Sequence, residues 1–245
     1  MNSKNLNESA KFYDTDIGKV NAQIIGNSCA MLNMEMLTKY SRFDSTILLG
    51  IGDGSLLEQI LSKFKEVTVV EGSDRLVNEA KQRFASHTGL QFVNEHFENF
   101  QPASGKKVSS ILGNHVLEHL EKPVDVIDQS RIWLQSDGIA IFTVPSATSL
   151  HRRIGVELGI LNQINDLSDQ DQLVGHKRVY DANQLKVDVL NGGYSVVEEG
   201  GFNLKLVSQA QMADWPAELH DAIYRISRRC PEEMCSNLYV ACRPK

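Results

Sequence analysis

Apolar positions along this chain follow two alternating rhythms. Short aliphatic or β-branched runs read as buried strands: Thr46 to Leu49, Val67 to Val70, the run opening at Ser109, and Ile139 to Pro145. Between them, apolar residues recur every three or four positions, as on one face of a helix. Ile17 to Tyr40 carries Ile17, Val20, Ile24, Met31 and Met34 at such spacing, with a break expected near Gly26-Asn27. Leu56 to Leu61 is a second helix. Ser73 caps a third, which holds Leu76, Val77, Ala80 and Phe84. Pro123 suits the first turn of a fourth, Val124 to Leu134, and Ser136-Asp137-Gly138 reads as a turn. Leu150 to Leu161 is helical in pattern and runs into a polar stretch, Asn162 to Gln172. Asp181 and Gln184 form a capping pair for a helix through Leu190, ended by Gly192-Gly193. Tyr194 to Glu198, Phe202 to Val207 and Asn237 to Arg243 read as strands, and Trp215 to Arg228 as a helix. Strands alternating with helices predict an α/β fold with a largely parallel sheet covered on both faces.

The segment LLGIGDGS, Leu48 to Ser55, joins the first strand to its helix. Gly50, Gly52 and Gly54 can take backbone angles closed to other residues and let a ligand lie against the main chain. The following helix points its first N–H groups at that ligand. Seventeen residues after Gly54, Glu71 ends the second strand. A carboxylate there can accept hydrogen bonds from both hydroxyls of a ribose. Loop and carboxylate together point to an adenosine-containing cofactor on the sheet.

The spacing is G-x-G-x-G, not the G-x-G-x-x-G of dinucleotide sites. It resembles the first motif of the class I S-adenosylmethionine-dependent methyltransferases, and among them bacterial small-molecule enzymes. VTVVEGSDRLVNEA (67–80) is similar to that family's second strand, ribose acid and helix. SSILGNHVLEHL (109–120) is similar to its fourth strand and the turn beneath the cofactor. The resemblance runs in order from about Tyr13 to the C-terminus. It implies a Rossmann-like doubly wound α/β fold: a seven-stranded sheet, mostly parallel with an antiparallel last strand, plus a helical N-terminal cap and a lid. The implied organisation is a cap over 1–42 and a methyltransferase domain over 43–245, with the lid inserted at about 146–180. The implied cofactor is S-adenosyl-L-methionine, released as S-adenosyl-L-homocysteine. Its expected contacts are Gly50, Gly52, Gly54, Glu71, Gly72, His96, Phe97, Asn114 and Tyr13. Three positions depart from the pattern. Leu48 stands where the family has an acid two residues before the first glycine. The acid that opens the fourth strand is replaced around Ser109. His96 aligns with an aspartate that reads the adenine amino group; Phe97 offers its backbone to the same edge.

With 42% hydrophobic residues in 245, the chain can bury a substantial core. No apolar run approaches the roughly 20 residues that span a bilayer, and Met1 to Tyr13 is polar, so a cytoplasmic protein is expected. A formal charge of −6 argues against a nucleic-acid partner. The residues after the fourth strand, Gly113-Asn114-His115-Val116, lack the Pro-Pro-aromatic box of DNA amino-methylating enzymes. Cysteine spacing and acid pattern suggest no metal site, and a monomer or homodimer is expected.

Methyl transfer to a hydroxyl benefits from a base, most often histidine. His115 stands at the end of the fourth strand, where open α/β sheets bind ligands. Glu118 and His119 are read as fixing the turn by backbone hydrogen bonds. His151, Arg152 and Arg153 open the lid; His176, Lys177, Arg178 and Tyr180 close it. Converged over the cleft, these would make a basic mouth. His151, His176 and His115 are thus the candidate catalytic residues, and Arg152, Arg178 and Tyr180 the candidate acceptor contacts. The expected reaction is O-methylation of a hydroxylated or anionic metabolite. N-methylation of an amine or amino-sugar and an inactive cofactor-binding module are the alternatives.

Overall fold

A computed structural model describes residues 6–7, 11–103 and 105–245, without the side chains of residues 12, 13, 17, 21, 209 and 210. Seven strands form one sheet: β1 (Ser45–Leu49), β2 (Glu66–Glu71), β3 (Leu90–Asn94), β4 (Val108–Asn114), β5 (Leu134–Pro145), β6 (Tyr194–Phe202) and β7 (Asn237–Pro244). Their order is β3-β2-β1-β4-β5-β7-β6. The first five run parallel, and β7 lies antiparallel between β5 and β6. The chain order reverses between β1 and β4, so their C-terminal ends open the crevice where such sheets bind ligands.

The helices are α1 (Asp16–Tyr40), α2 (Ser55–Leu61), α3 (Asp74–Arg83), α4 (Pro123–Arg131), α5 (Leu150–Glu157), α6 (Asp169–Leu173), α7 (Ala182–Asn191) and α8 (Ala217–Ser227), with one further turn at Gln209–Met212. One face of the sheet packs Val69, Leu112, Ile141 and Ala241 under α1, α2, α3 and α8. The other packs Ile111, Phe142 and Val240 under α4 and α7. Leu48, where the resembled family has an acid, points into the first of these cores, 2% exposed.

Four sequence expectations need correction. α1 runs unbroken through Gly26, because the absent side chain is a packing device: a Cβ there would stand 2.7 Å from Asp53 Oδ1 on the glycine loop. The turn at Ser136-Asp137-Gly138 is an irregularity inside β5, where the pairing with β4 shifts register. Tyr194 to Phe202 is one continuous strand, and the chain leaves the sheet at Asn203, whose φ of 62° breaks the extended path. The lid helix stops at Glu157, and Gly159 at φ 70° turns the chain away.

Candidate functional site

The glycine loop is built for a left-handed backbone. Gly50, Gly52 and Gly54 have φ of 80°, 58° and 84°, where an L side chain is strained. Gly54 caps α2 from that conformation. Asp53 accepts from the Ser55 N–H at 3.1 Å and fixes the first turn. Nothing lies within 4 Å of the place a Gly52 Cβ would occupy, so the loop's surface is open at that point.

Glu71 ends β2 nearly buried, 8% exposed. Its Oε2 accepts from the Ile51 N–H at 3.1 Å and its Oε1 from the Ser73 N–H at 2.7 Å. The carboxylate therefore ties the glycine loop to the start of α3, and each oxygen keeps a second lone pair. Burial raises its pKa against the pull of these backbone donors. His96 lies beside Gly72, with Nδ1 3.5 Å from where a Cβ would stand. Phe97 packs partly buried on the core below. Glu71, Gly72, His96 and Phe97 thus share one corner of the crevice.

Asn114 ends β4. Its Oδ1 accepts from Asn33 Nδ2 of α1 at 2.7 Å and from Thr143 Oγ1 of β5 at 3.2 Å. Its amide nitrogen has no partner among the described residues. Asn33, fully buried, also donates to the Cys29 carbonyl. Sequence reasoning missed Asn33 and Thr143, since the contact joins three distant elements.

Beyond Asn114 the backbone turns sharply at His115, a non-glycine residue with φ of 53°. Its N–H donates to the Thr143 carbonyl, which locks the turn. The turn carries His115, Glu118 and His119 into one buried cluster, and the lid brings His176 to it. His115 Nδ1 lies 3.4 Å and His176 Nε2 3.9 Å from Glu118 Oε1. Glu118 is 0% exposed, and neither oxygen has a hydrogen-bond partner among the described residues. It does not fix the turn as expected. Burial pushes its pKa up to about 7. Burial, followed by the neighbouring imidazoles, holds His115 down at about 3 and His119 at about 4. The His119 and His176 rings meet edge to face at 4.7 Å.

The lid docks through ionic and backbone bonds. Asp171, in α6, accepts from Arg152 Nη1 at 3.0 Å and from Ser168 Oγ at 2.6 Å, and lies 2.9 Å from His176 Nδ1. Burial would raise the Asp171 pKa, but these bonds outweigh it and hold the carboxyl below its ordinary range. The Lys177 N–H donates to the Glu118 carbonyl. Asp171 carried no motif in the sequence; its role depends on α6 folding back on α5.

The expected basic mouth is not assembled. Arg152 is 6% exposed and its guanidinium donates to the Ile164 and Asp166 carbonyls as well as to Asp171, so it braces the lid from inside. Tyr180 is fully buried and donates to Asp188 Oδ2 at 3.0 Å, which anchors the lid's exit to α7. Arg178 donates to the Glu121 carbonyl and lines a separate groove of about 690 Å³ with Pro123, Val124, Ile164 and Asp188. His151 is half-buried near Lys205. Burial and the Lys205 charge depress His151 to about 3, and burial lowers Lys205 to about 8. The side chain of Tyr13 lies outside the described residues.

The sheet order and flanking helices define a Rossmann-like architecture, with its crevice at the C-terminal ends of β1 and β4. A family model described as a methyltransferase domain matches residues 48–140. A malonyl-[acyl-carrier protein] O-methyltransferase of Halalkalibacterium halodurans is 24% identical over 144 residues. That match takes in 57% of this chain and 53% of the relative, so it spans about half the relative's length. Two solved structures share the fold at 14% identity. One is an S-adenosylmethionine-dependent methyltransferase from Clostridium acetobutylicum, with TM-score 0.64 over 97% of this chain and 98% of that one. The other is the N-methyltransferase NodS from Bradyrhizobium japonicum with S-adenosyl-L-homocysteine, with TM-score 0.58 over 100% of this chain and 99% of that one. Residues 48–140 thus match a methyltransferase domain, and the chain shares the fold of solved S-adenosylmethionine-dependent methyltransferases, a likeness that implies S-adenosyl-L-methionine as cofactor. The open loop surface at Gly52 and the spare lone pairs of Glu71 fit that cofactor.

Proposed function

We propose that this protein transfers a methyl group to a hydroxyl oxygen of a small hydroxylated or anionic metabolite. The observation that carries this reading is the buried cluster of Glu118, His115, His119 and His176 immediately beyond Asn114. The glycine loop, Glu71, Gly72 and the His96–Phe97 corner would hold the cofactor, with Asn114 facing its methionine end. When bound, the cofactor supplies an electrophilic methyl carbon: the acceptor oxygen bonds to it, the sulfur–carbon bond breaks, and its electron pair stays on sulfur. The hydroxyl proton has to go elsewhere, and the cluster is the polar, water-poor place where it can. Asp171 orients His176 by holding Nδ1, so Nε2 faces the cluster. His115 Nδ1 borders the same Glu118 oxygen, Oε1.

Arg152 and Tyr180 serve the lid rather than the acceptor in this reading, and Arg178 sits at a groove apart from the cluster. A panel of hydroxylated metabolites incubated with cofactor, read by mass spectrometry for an added methyl group, tests the reading. We expect an O-methyl product, with kcat lowered about 10²–10⁴-fold in His176→Ala. Methylation confined to amines would replace it with N-transfer. Cofactor binding without turnover on any acceptor class would favour an inactive module.

A further inference from the structure

The Glu118 cluster has the composition and the supporting contacts of a metal site. One ligand atom from each of Glu118, His119 and His176 can be chosen so that all lie within 4.8 Å of one another. Ligands at tetrahedral distances from one ion are about 3.4 Å apart, so closure asks for movements of roughly 1 Å. The independent observation is Glu118 itself: wholly buried, aimed into the cluster, both oxygens without a hydrogen-bond partner among the described residues. A buried carboxylate left so is costly unless a cation or proton meets it.

The outer contacts point the same way. A histidine that ligates a metal nearly always has its other ring nitrogen held by a carboxylate or a backbone carbonyl. Asp171 Oδ1 holds His176 Nδ1 at 2.9 Å, which leaves Nε2 for the cluster. The His119 ring packs edge to face on His176, its ring centroid 4.7 Å away. Asp171 is in turn fixed by Arg152 and Ser168. The lid's buried ionic network therefore ends in an oriented imidazole lone pair.

We propose that Glu118, His119 and His176 bind a divalent first-row transition cation, Mn²⁺, Co²⁺ or Zn²⁺, through one carboxylate and two imidazoles. Two nitrogens and one oxygen suit such ions better than Mg²⁺ or Ca²⁺. Three protein ligands leave coordination positions for an acceptor hydroxyl, which a bound cation acidifies. His176 is then a ligand, and the proton of the cation-bound hydroxyl is released to water, leaving its electron pair on the acceptor oxygen to bond the methyl carbon. The inference deepens the O-methylation reading and rests on it only for that acceptor.

Tag-free protein, stripped with chelator and checked for S-adenosyl-L-homocysteine binding, is titrated with MnCl₂, CoCl₂ and ZnCl₂ by calorimetry. Co²⁺ is also followed by its visible absorption. One equivalent should bind. Glu118→Gln and His119→Ala should weaken binding at least tenfold, and Asp171→Asn about 10- to 100-fold. His87→Ala, an exposed histidine far from the cluster, should not change it. Absence of stoichiometric binding in protein that binds the cofactor product would overturn the site and leave the methyltransferase reading standing. So would unchanged binding in Glu118→Gln and His119→Ala variants that still bind that product. Cation binding without any O-methyl product would sink the O-transfer reading instead.

Discussion

At the scale of single residues, placement at strand ends sets the chemistry. Glu71 has two tasks, because the same carboxylate that would hold the ribose also ties Ile51 to Ser73. Glu71→Ala should therefore weaken binding of S-adenosyl-L-methionine by about 2–4 kcal/mol, and Glu71→Gln by less, since the amide oxygen still accepts. Calorimetric titration of both variants checks this; parent-like affinity in Glu71→Ala would remove Glu71 from the cofactor site. Glu71 was legible from sequence because its position follows from the strand–loop–helix order alone. Glu118 was read as a turn-fixing residue because local spacing says nothing of His176, 58 residues on. Only the docked lid brings that imidazole to it.

Among elements, the lid between β5 and α7 departs furthest from expectation. Its cations looked like an acceptor-binding surface, yet Arg152 is spent inside, on Asp171 and two carbonyls. A buried arginine gains more from a fixed carboxylate and carbonyls than it could from an intermittent ligand. Removing one partner leaves the other charge uncompensated in a low-dielectric site. Asp171→Ala should thus cost about 3–5 kcal/mol of stability, measured by urea denaturation, whereas truncating the exposed Arg153 should cost little. Equal stability of Asp171→Ala and the parent would show that the Arg152 network does not hold the lid. The N-terminal helix teaches a related lesson. Gly26 looked like a break, but α1 needs it where the helix presses on Asp53 of the glycine loop.

For the whole molecule, cofactor binding and fold stability are coupled, because the loop, Glu71 and α3 are joined by the same hydrogen bonds. At a hundredfold excess over its dissociation constant, a ligand specific to the native state adds about 2.7 kcal/mol. That corresponds to a rise in Tm of roughly 5–10 °C for a chain of this size. S-adenosyl-L-homocysteine should produce it in a thermal melt and NAD should not; the reverse result would overturn the cofactor assignment. Among the described residues no helix is long and apolar enough to cross a membrane. Most of the order of strands and helices, though not β3, α6 or the single span of β6, together with the glycine loop and the acid that ends β2, could be read from the chain by itself. Each follows from hydrophobic periodicity and from backbone angles that only glycine takes readily, and both are local properties. Tertiary structure alone decided which polar side chains share a buried space: Asn33 with Asn114 and Thr143, Arg152 with Asp171, and Glu118 with His119 and His176. Those pairings depend on elements far apart in sequence packing together, and on the cost of leaving a buried charge or dipole unpaired.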